Sequence, residues 1–246
     1  MREITPVVKQ LLILNVIFFA GSHFVPMAEK LFALYYFQNP SFKFWQPLSH
    51  MFMHGNLMHI FFNMFALYSF GSTLEHFWGG KKFLFFYLSC GLGAALIHSG
   101  VNFYHFQEGI NALVGSGENK SEILKILATG QYNLNWEQVL SKTDFENFIG
   151  SYATPAVGAS GAIYGLLVAF AFMFPNAELM MMFIPVPIKA KYFVPFIVGM
   201  DLFSGVTGYS VFGGGIAHFA HIGGALIGFI MMWYWKKNSF NDRRWN

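Results

Sequence analysis

Gly158-Ala159-Ser160-Gly161-Ala162-Ile163-Tyr164-Gly165-Leu166-Leu167 opens an apolar run with no charged residue as far as Met173. A serine heading such a run lies where polar groups are costly, and it has company. Ala217-His218-Phe219-Ala220-His221-Ile222-Gly223-Gly224 begins a second run that reaches Trp235. His54-Gly55-Asn56-Leu57-Met58-His59 begins a third, with Asn63 one helical turn after His59. Nucleophile, base and oxyanion donors are the groups amide hydrolysis needs, and Ser, His and Asn supply them.

The chain around these runs is built for lipid. It has 246 residues, 55% hydrophobic and 11% charged, with a mean hydropathy of +0.45. Soluble domains carry about 25% charged residues. Six apolar stretches, roughly 7–24, 53–73, 83–101, 156–174, 192–209 and 215–235, each approach the ~20 residues a spanning helix needs. The expected architecture is all-α: a polytopic six-helix bundle forming one domain over residues 1–246. The first stretch has no convincing cleavage site and reads as helix one, not as a signal peptide. Cys90, the single cysteine, excludes an intramolecular disulfide.

The net charge is +3. With six spans, Arg2, Lys9, Lys81, Lys82, Lys189, Lys191, Lys236, Lys237, Arg243 and Arg244 share one side, 10 of the 15 basic residues. The positive-inside rule then places both termini in the cytoplasm. The basic balance is accounted for by topology and gives no argument for nucleic acid.

Residues 25–52 form an aromatic outer segment, including Tyr35, Tyr36, Phe44 and Trp45, suited to the headgroup region. Residues 102–152 read as an outer-side insert, with six acidic residues against three lysines. Within it Ile123, Leu124, Ile126 and Leu127, ended by Gly130, spell a short amphipathic helix. Thr143-Asp144-Phe145-Glu146 has the spacing that starts another. The insert reads as a surface elaboration on the membrane in preference to a dedicated partner site. Gly205 to Gly215 holds five glycines and reads as a mobile loop, with Phe212 as a candidate plug over the site.

Each polar residue also has a plain structural reading. Gly161 and Gly165, and Gly224 and Gly228, are small-xxx-small pairs of the kind that pack membrane helices. One histidine in a span can simply hydrogen-bond a neighbour. Depth favours function: His59, Ser160 and His221 lie five or six residues past expected helix starts at 54, 155 and 215, about 8–9 Å below the outer edge. Asn63 shares the face of His59, so both can serve an oxyanion. His54 points away from that face and is assigned to supporting the outer loop. Spacing leaves His218 and His221 as alternative bases. Asp201, the lone acid of helix five, is assigned to helix-end or loop groups. His23, His50, His76, His98 and His105 are placed near helix ends or loops, within reach of solvent.

These motifs together resemble the rhomboid intramembrane serine proteases. The resemblance runs through Phe44-Trp45-Gln46-Pro47-Leu48, His50, Met53 to Asn63, Gly71 to Gly79 with Glu75, Gly158-Ala159-Ser160-Gly161 with Tyr164, and Ala220-His221-Ile222-Gly223-Gly224 with Gly228. It implies Ser160 as nucleophile, His221 as base with His218 an extra neighbour, and Tyr164 packed on the base. It also implies an oxyanion site of His59, Asn63 and the Ser160 backbone N–H, supported by Gly158, Gly161, Gly224 and His54. Gln46 departs from the arginine common after the tryptophan, and the insert is longer than the usual connection.

The expected activity is cleavage of transmembrane segments of membrane proteins near the outer face, by a Ser160–His221 dyad through an acyl-enzyme. The expected partners are those substrates and the lipid bilayer, with no cofactor, metal or nucleic acid. The expected setting is a bacterial inner membrane. Two rivals stand beside this reading. A metal-binding membrane protein using His54, His59, His218 and His221 lacks a carboxylate and leaves Ser160 unexplained. An inactive rhomboid-like scaffold would typically have lost the serine or histidine that this chain keeps.

Overall fold

A computed structural model describes residues 3–181, 184–209 and 217–238. Helix α1, Pro6–Phe24, starts with proline in its first turn, where a missing N–H is no loss. Its free amides are met from across the fold. The Glu75 carboxylate accepts from Val7 N at 2.9 Å, Val8 N at 2.8 Å and Thr5 Oγ1 at 2.5 Å. An acid at a helix N-terminus is favoured by the helix dipole, which gives buried Glu75 a structural role.

The segment after α1 carries two short helices, α2, Ala28–Phe32, and α3, Gln46–Ser49, the latter running into a 3₁₀ turn at His50–Phe52. Gln46, fully buried, holds this segment together. Its amide donates to the Lys30 and Ser41 carbonyls at 3.0 and 2.9 Å, and its oxygen accepts from Tyr35 N at 3.3 Å. The position that departs from the rhomboid arginine is thus satisfied by neutral loop contacts. Leu34 and Ala156 exchange backbone hydrogen bonds of 2.9 Å, tying this segment to the strand of chain that leads into Ser160.

The second span is broken into α4, Leu57–Ala66, a π turn at Leu67–Gly71, and α5, Ser72–Trp78. Asn56 caps α4, accepting from His59 N at 2.8 Å. Gly79, at φ +76°, turns the chain directly into α6, Gly80–Gly115. At 36 residues, α6 is about 54 Å long and far exceeds the ~30 Å hydrocarbon core. The third span was expected to stop at 101. Phe106, Ile110 and Leu113 instead continue a buried helical stripe.

Helices α7, Lys120–Ala128, α8, Trp136–Val139, and α9, Lys142–Ala153, close a second hydrophobic core on that stripe. Ile123, Leu127, Trp136 and Phe148 pack with it, and Tyr36 joins from the segment after α1. The insert therefore has an interior of its own. Helix α7 falls where expected and ends before Gly130 at φ +78°. The start of α9 is set by Ser141, which accepts from Asp144 N at 3.2 Å, two residues before the expected Thr143.

Helix α10 is Ser160–Met173. A hairpin of β1, Glu178–Met181, and β2, Ile184–Lys189, paired antiparallel, follows it and was not foreseen in an all-helical reading. Helix α11, Ala190–Thr207, ends at Gly208 with φ +73°, so the first residues of the expected Gly205–Gly215 loop are helical. Phe212 and its neighbours 210–216 lie outside the described residues. Helix α12 is His218–Asn238.

The fold is a polytopic helical membrane fold. Among the described residues, Pro6–Phe24, Leu57–Trp78 and Gly80–Gly115 are long and apolar enough to cross a bilayer, and Ser160–Met173 is a shorter apolar helix. Helices α6, α10 and α12 pack at the centre around Cys90, Ala94, Ala162, Leu166 and Ala225.

Candidate active site

Glycine decides how closely α10 and α12 approach. A Cβ on Gly224 would overlap the carbonyl of Gly161, and one on Gly228 would lie 2.8 Å from Gly165 Cα. Close backbone contact is what small residues give membrane helices, so the two glycine pairs face one another as packing elements. The same contact carries Ser160, the first residue of α10, to His221 in the first turn of α12. Ser160 Oγ and His221 Nε2 are 2.9 Å apart. Tyr164, one turn after Ser160, stacks on the His221 ring with centroids 4.2 Å apart and an interplanar angle of 11°.

The described helices begin at 57, 160 and 218, so His59, Ser160 and His221 stand two, zero and three residues inside them. The common offset of five or six residues does not hold, because residues 53–56, 154–159 and 217 lie outside the helices. Ser160 consequently sits at a helix N-terminus, where first-turn N–H groups have no partner within the helix. Those amides and the helix dipole favour developing negative charge.

Gly158 prepares that terminus. Its φ of +122° is a conformation that L side chains rarely adopt, and its N–H donates to the His50 carbonyl at 2.9 Å. A Cβ there would lie 2.7 Å from His59 Nε2 and 3.7 Å from Ser160 Oγ. The His59 ring and the Ser160 hydroxyl thus both border the space that a side chain at position 158 would fill. Asn63 is buried one turn along α4, and its amide donates to the His59 carbonyl at 2.9 Å. The second N–H of that amide is the one left for another acceptor.

Three assignments change. His54 was expected to point away from His59, yet the rings meet edge to face with centroids 5.0 Å apart. The cause is the bend before α4: His54 precedes the helix, so five-residue helical spacing does not apply to it. His50, expected near solvent, is buried and bonds the Gln46 carbonyl through Nδ1 at 3.0 Å. Burial pushes the His50 and His54 imidazoles down to about 4, with His98 adding to the effect at His50 and His59 at His54.

The third correction is Asp201. It does not serve a loop. Its Oδ1 lies 3.2 Å from His221 Nδ1 and 2.6 Å from His218 Nδ1, and the Tyr164 hydroxyl donates to Oδ2. The carboxylate is 3% exposed. No local spacing links α11 to α10 or α12, so sequence periodicity could not place it. The available signal was simpler: an acid inside an apolar run needs a partner. Among the described residues no group of three or more His, Cys, Asp or Glu has a metal-binding arrangement.

Comparison with known proteins fits this geometry. The family model described as Rhomboid domain matches residues 41–117 and 130–238, omitting 118–129 within the insert. The human presenilin-associated rhomboid-like protein, mitochondrial, is 29% identical over 213 residues, covering 85% of this chain and 42% of its own length. The zebrafish presenilin-associated rhomboid-like protein A, mitochondrial, is 26% identical over 213 residues, covering 85% and 42%. Rhomboid protein 1, mitochondrial, of Saccharomyces cerevisiae is 25% identical over 186 residues, covering 76% and 40%. The chain thus spans about two-fifths of the length of these curated relatives. They also correct the expected setting: all three are mitochondrial proteins by name, so the bacterial inner membrane, with the cytoplasmic placement of the termini, is withdrawn. The family match covers most of the chain and contains Ser160, His221 and the glycine pairs that join them, and the chain belongs to the rhomboid family.

Proposed function

We propose that this chain is an intramembrane serine endopeptidase that cleaves transmembrane segments of other membrane proteins, in a mitochondrial membrane as its relatives' names indicate. The observation that carries the reading is the 2.9 Å contact of Ser160 Oγ with His221 Nε2 inside an apolar bundle. His221 takes the hydroxyl proton, and Ser160 Oγ attacks the substrate carbonyl to give a tetrahedral intermediate. The Ser160 N–H at the start of α10 and the His59 imidazole stabilise the oxyanion, with Asn63 behind them. His221 then gives its proton to the leaving amine. Water repeats the attack on the acyl-enzyme and releases the acid product.

The same geometry argues for the substrate class. A helical peptide bond is hydrogen-bonded and shielded, so a transmembrane substrate must unwind at the Ser160 end of the bundle before it can be cut. Glycine or proline in the substrate span should therefore speed cleavage. The test is labelling of the purified full chain with a serine-directed fluorophosphonate, with Ser160→Ala as control. Labelling that depends on Ser160, together with cleavage of a model single-span substrate, is the expected result. An unlabelled, correctly folded protein would overturn the reading.

A further inference from the structure

We propose that Asp201 is a positioning residue for the base, making the site a Ser160–His221–Asp201 triad, an inference that rests on the protease reading above. Three donors converge on this carboxylate from two other helices: His218 and His221 Nδ1 from α12 onto Oδ1, and the Tyr164 hydroxyl from α10 onto Oδ2. A solvent-screened surface acid has no need of such a cage. A buried carboxylate does, because an unpaired charge in an apolar bundle is strongly disfavoured.

The arrangement fixes the imidazole. An ionised carboxylate only accepts, so the Nδ1 atom facing it carries the proton. His221 Nε2 is then the lone pair, and it is Nε2 that meets Ser160 Oγ at 2.9 Å. When the serine proton moves to Nε2, the resulting imidazolium faces the Asp201 charge through Nδ1–H, and Asp201 stays ionised. Tyr164 holds the pair from two sides, stacked on the imidazole and bonded to the carboxylate. His218 shares Oδ1 and anchors the carboxylate without touching Ser160.

The test compares wild type, Asp201→Asn and Asp201→Glu in the full chain, reading kcat and KM on a model transmembrane substrate and the fluorophosphonate labelling rate. Asparagine can turn its amide N–H₂ toward Nδ1 and stabilise the other tautomer. Asp201→Asn should therefore lower kcat and the labelling rate about 10²–10⁴-fold while KM changes little. Asp201→Glu should recover part of the loss. ¹⁵N-histidine NMR of the wild type should show His221 protonated at Nδ1, a readout independent of whether any variant folds. Wild-type kcat in Asp201→Asn, or a wild-type His221 protonated at Nε2, would overturn the proposal while leaving Ser160 as nucleophile. Wild type that Ser160-directed reagents do not label would instead remove the protease reading itself.

Discussion

The backbone of Gly224 lies so close to the carbonyl of Gly161 that a methyl group on Gly224 would occupy the same space. The obstacle is backbone, which cannot rotate away as a flexible side chain can. Gly224→Ala must push α12 from α10 and stretch the Ser160–His221 contact, both of whose residues are within three positions of this crossing. Stability should fall by about 1–3 kcal/mol. Activity per folded molecule should fall further than stability does, as measured by fluorophosphonate labelling of the folded fraction. Full labelling would show that the helices do not set the catalytic distance.

Single substitutions should separate the histidines. Ser160→Ala and His221→Ala should each abolish cleavage, since a nucleophile–base pair fails as a unit. His218→Ala should retain substantial activity, because Tyr164 still bonds Asp201 and Oδ1 is left to His221 alone. His59→Ala should cost about 10²–10³-fold in kcat, in the range of a lost oxyanion donor. Asn63→Ala should cost less, near 10-fold, because its amide is engaged with the His59 carbonyl. An inactive His218→Ala beside an active His221→Ala would reverse the assignment of the base.

The insert should matter for stability and leave the chemistry alone. Phe148 is fully buried between Phe106 and Trp136, in a hydrophobic cluster that contains no residue of the candidate site. Phe148→Ala should destabilise by about 3–5 kcal/mol. Labelling of Ser160 in the molecules that remain folded should be unchanged. Replacing all of 102–152 by a linker is a harsher test than the sequence suggests, because the cut would fall inside α6 and strip cover from Tyr36. A folded Phe148→Ala protein that no longer labels would tie the insert to the site.

The buried His50 and His54 make acid destabilising. Both are held neutral in the fold, at about 4, whereas an unfolded chain protonates them near 6.5. A lowered folded value means that stability is fully present above about pH 6.5 and declines as the pH falls from there toward 4. Each contributes a slope of up to about 1.4 kcal/mol per pH unit in that window. Thermal midpoints of the protein in detergent should be level from pH 8 to 7 and fall below 6.5. His54→Phe should flatten part of the decline; an unchanged slope would show that His54 is not its source.

The sequence by itself determined the solvent, the helical class and the chemistry-bearing motifs. Charge-poor runs of about 20 residues suit lipid, and a span that satisfies its backbone within its own segment is a helix. Gly161, Gly165, Gly224 and Gly228 announced close helix packing because spacing along one helix is a local property. The length of α6 was legible in principle from Phe106, Ile110 and Leu113. Past residue 101 the composition turns polar while the helical period continues, so hydropathy alone ends the span too early. Only the tertiary structure decided what joins different helices. That Asp201 faces His221, that His54 meets His59, that His59 lies against Gly158, and that Glu75 caps α1 all depend on how separate helices and loops cross. One-dimensional periodicity orders the residues of a single helix and carries no information about which side of its neighbour that helix will meet.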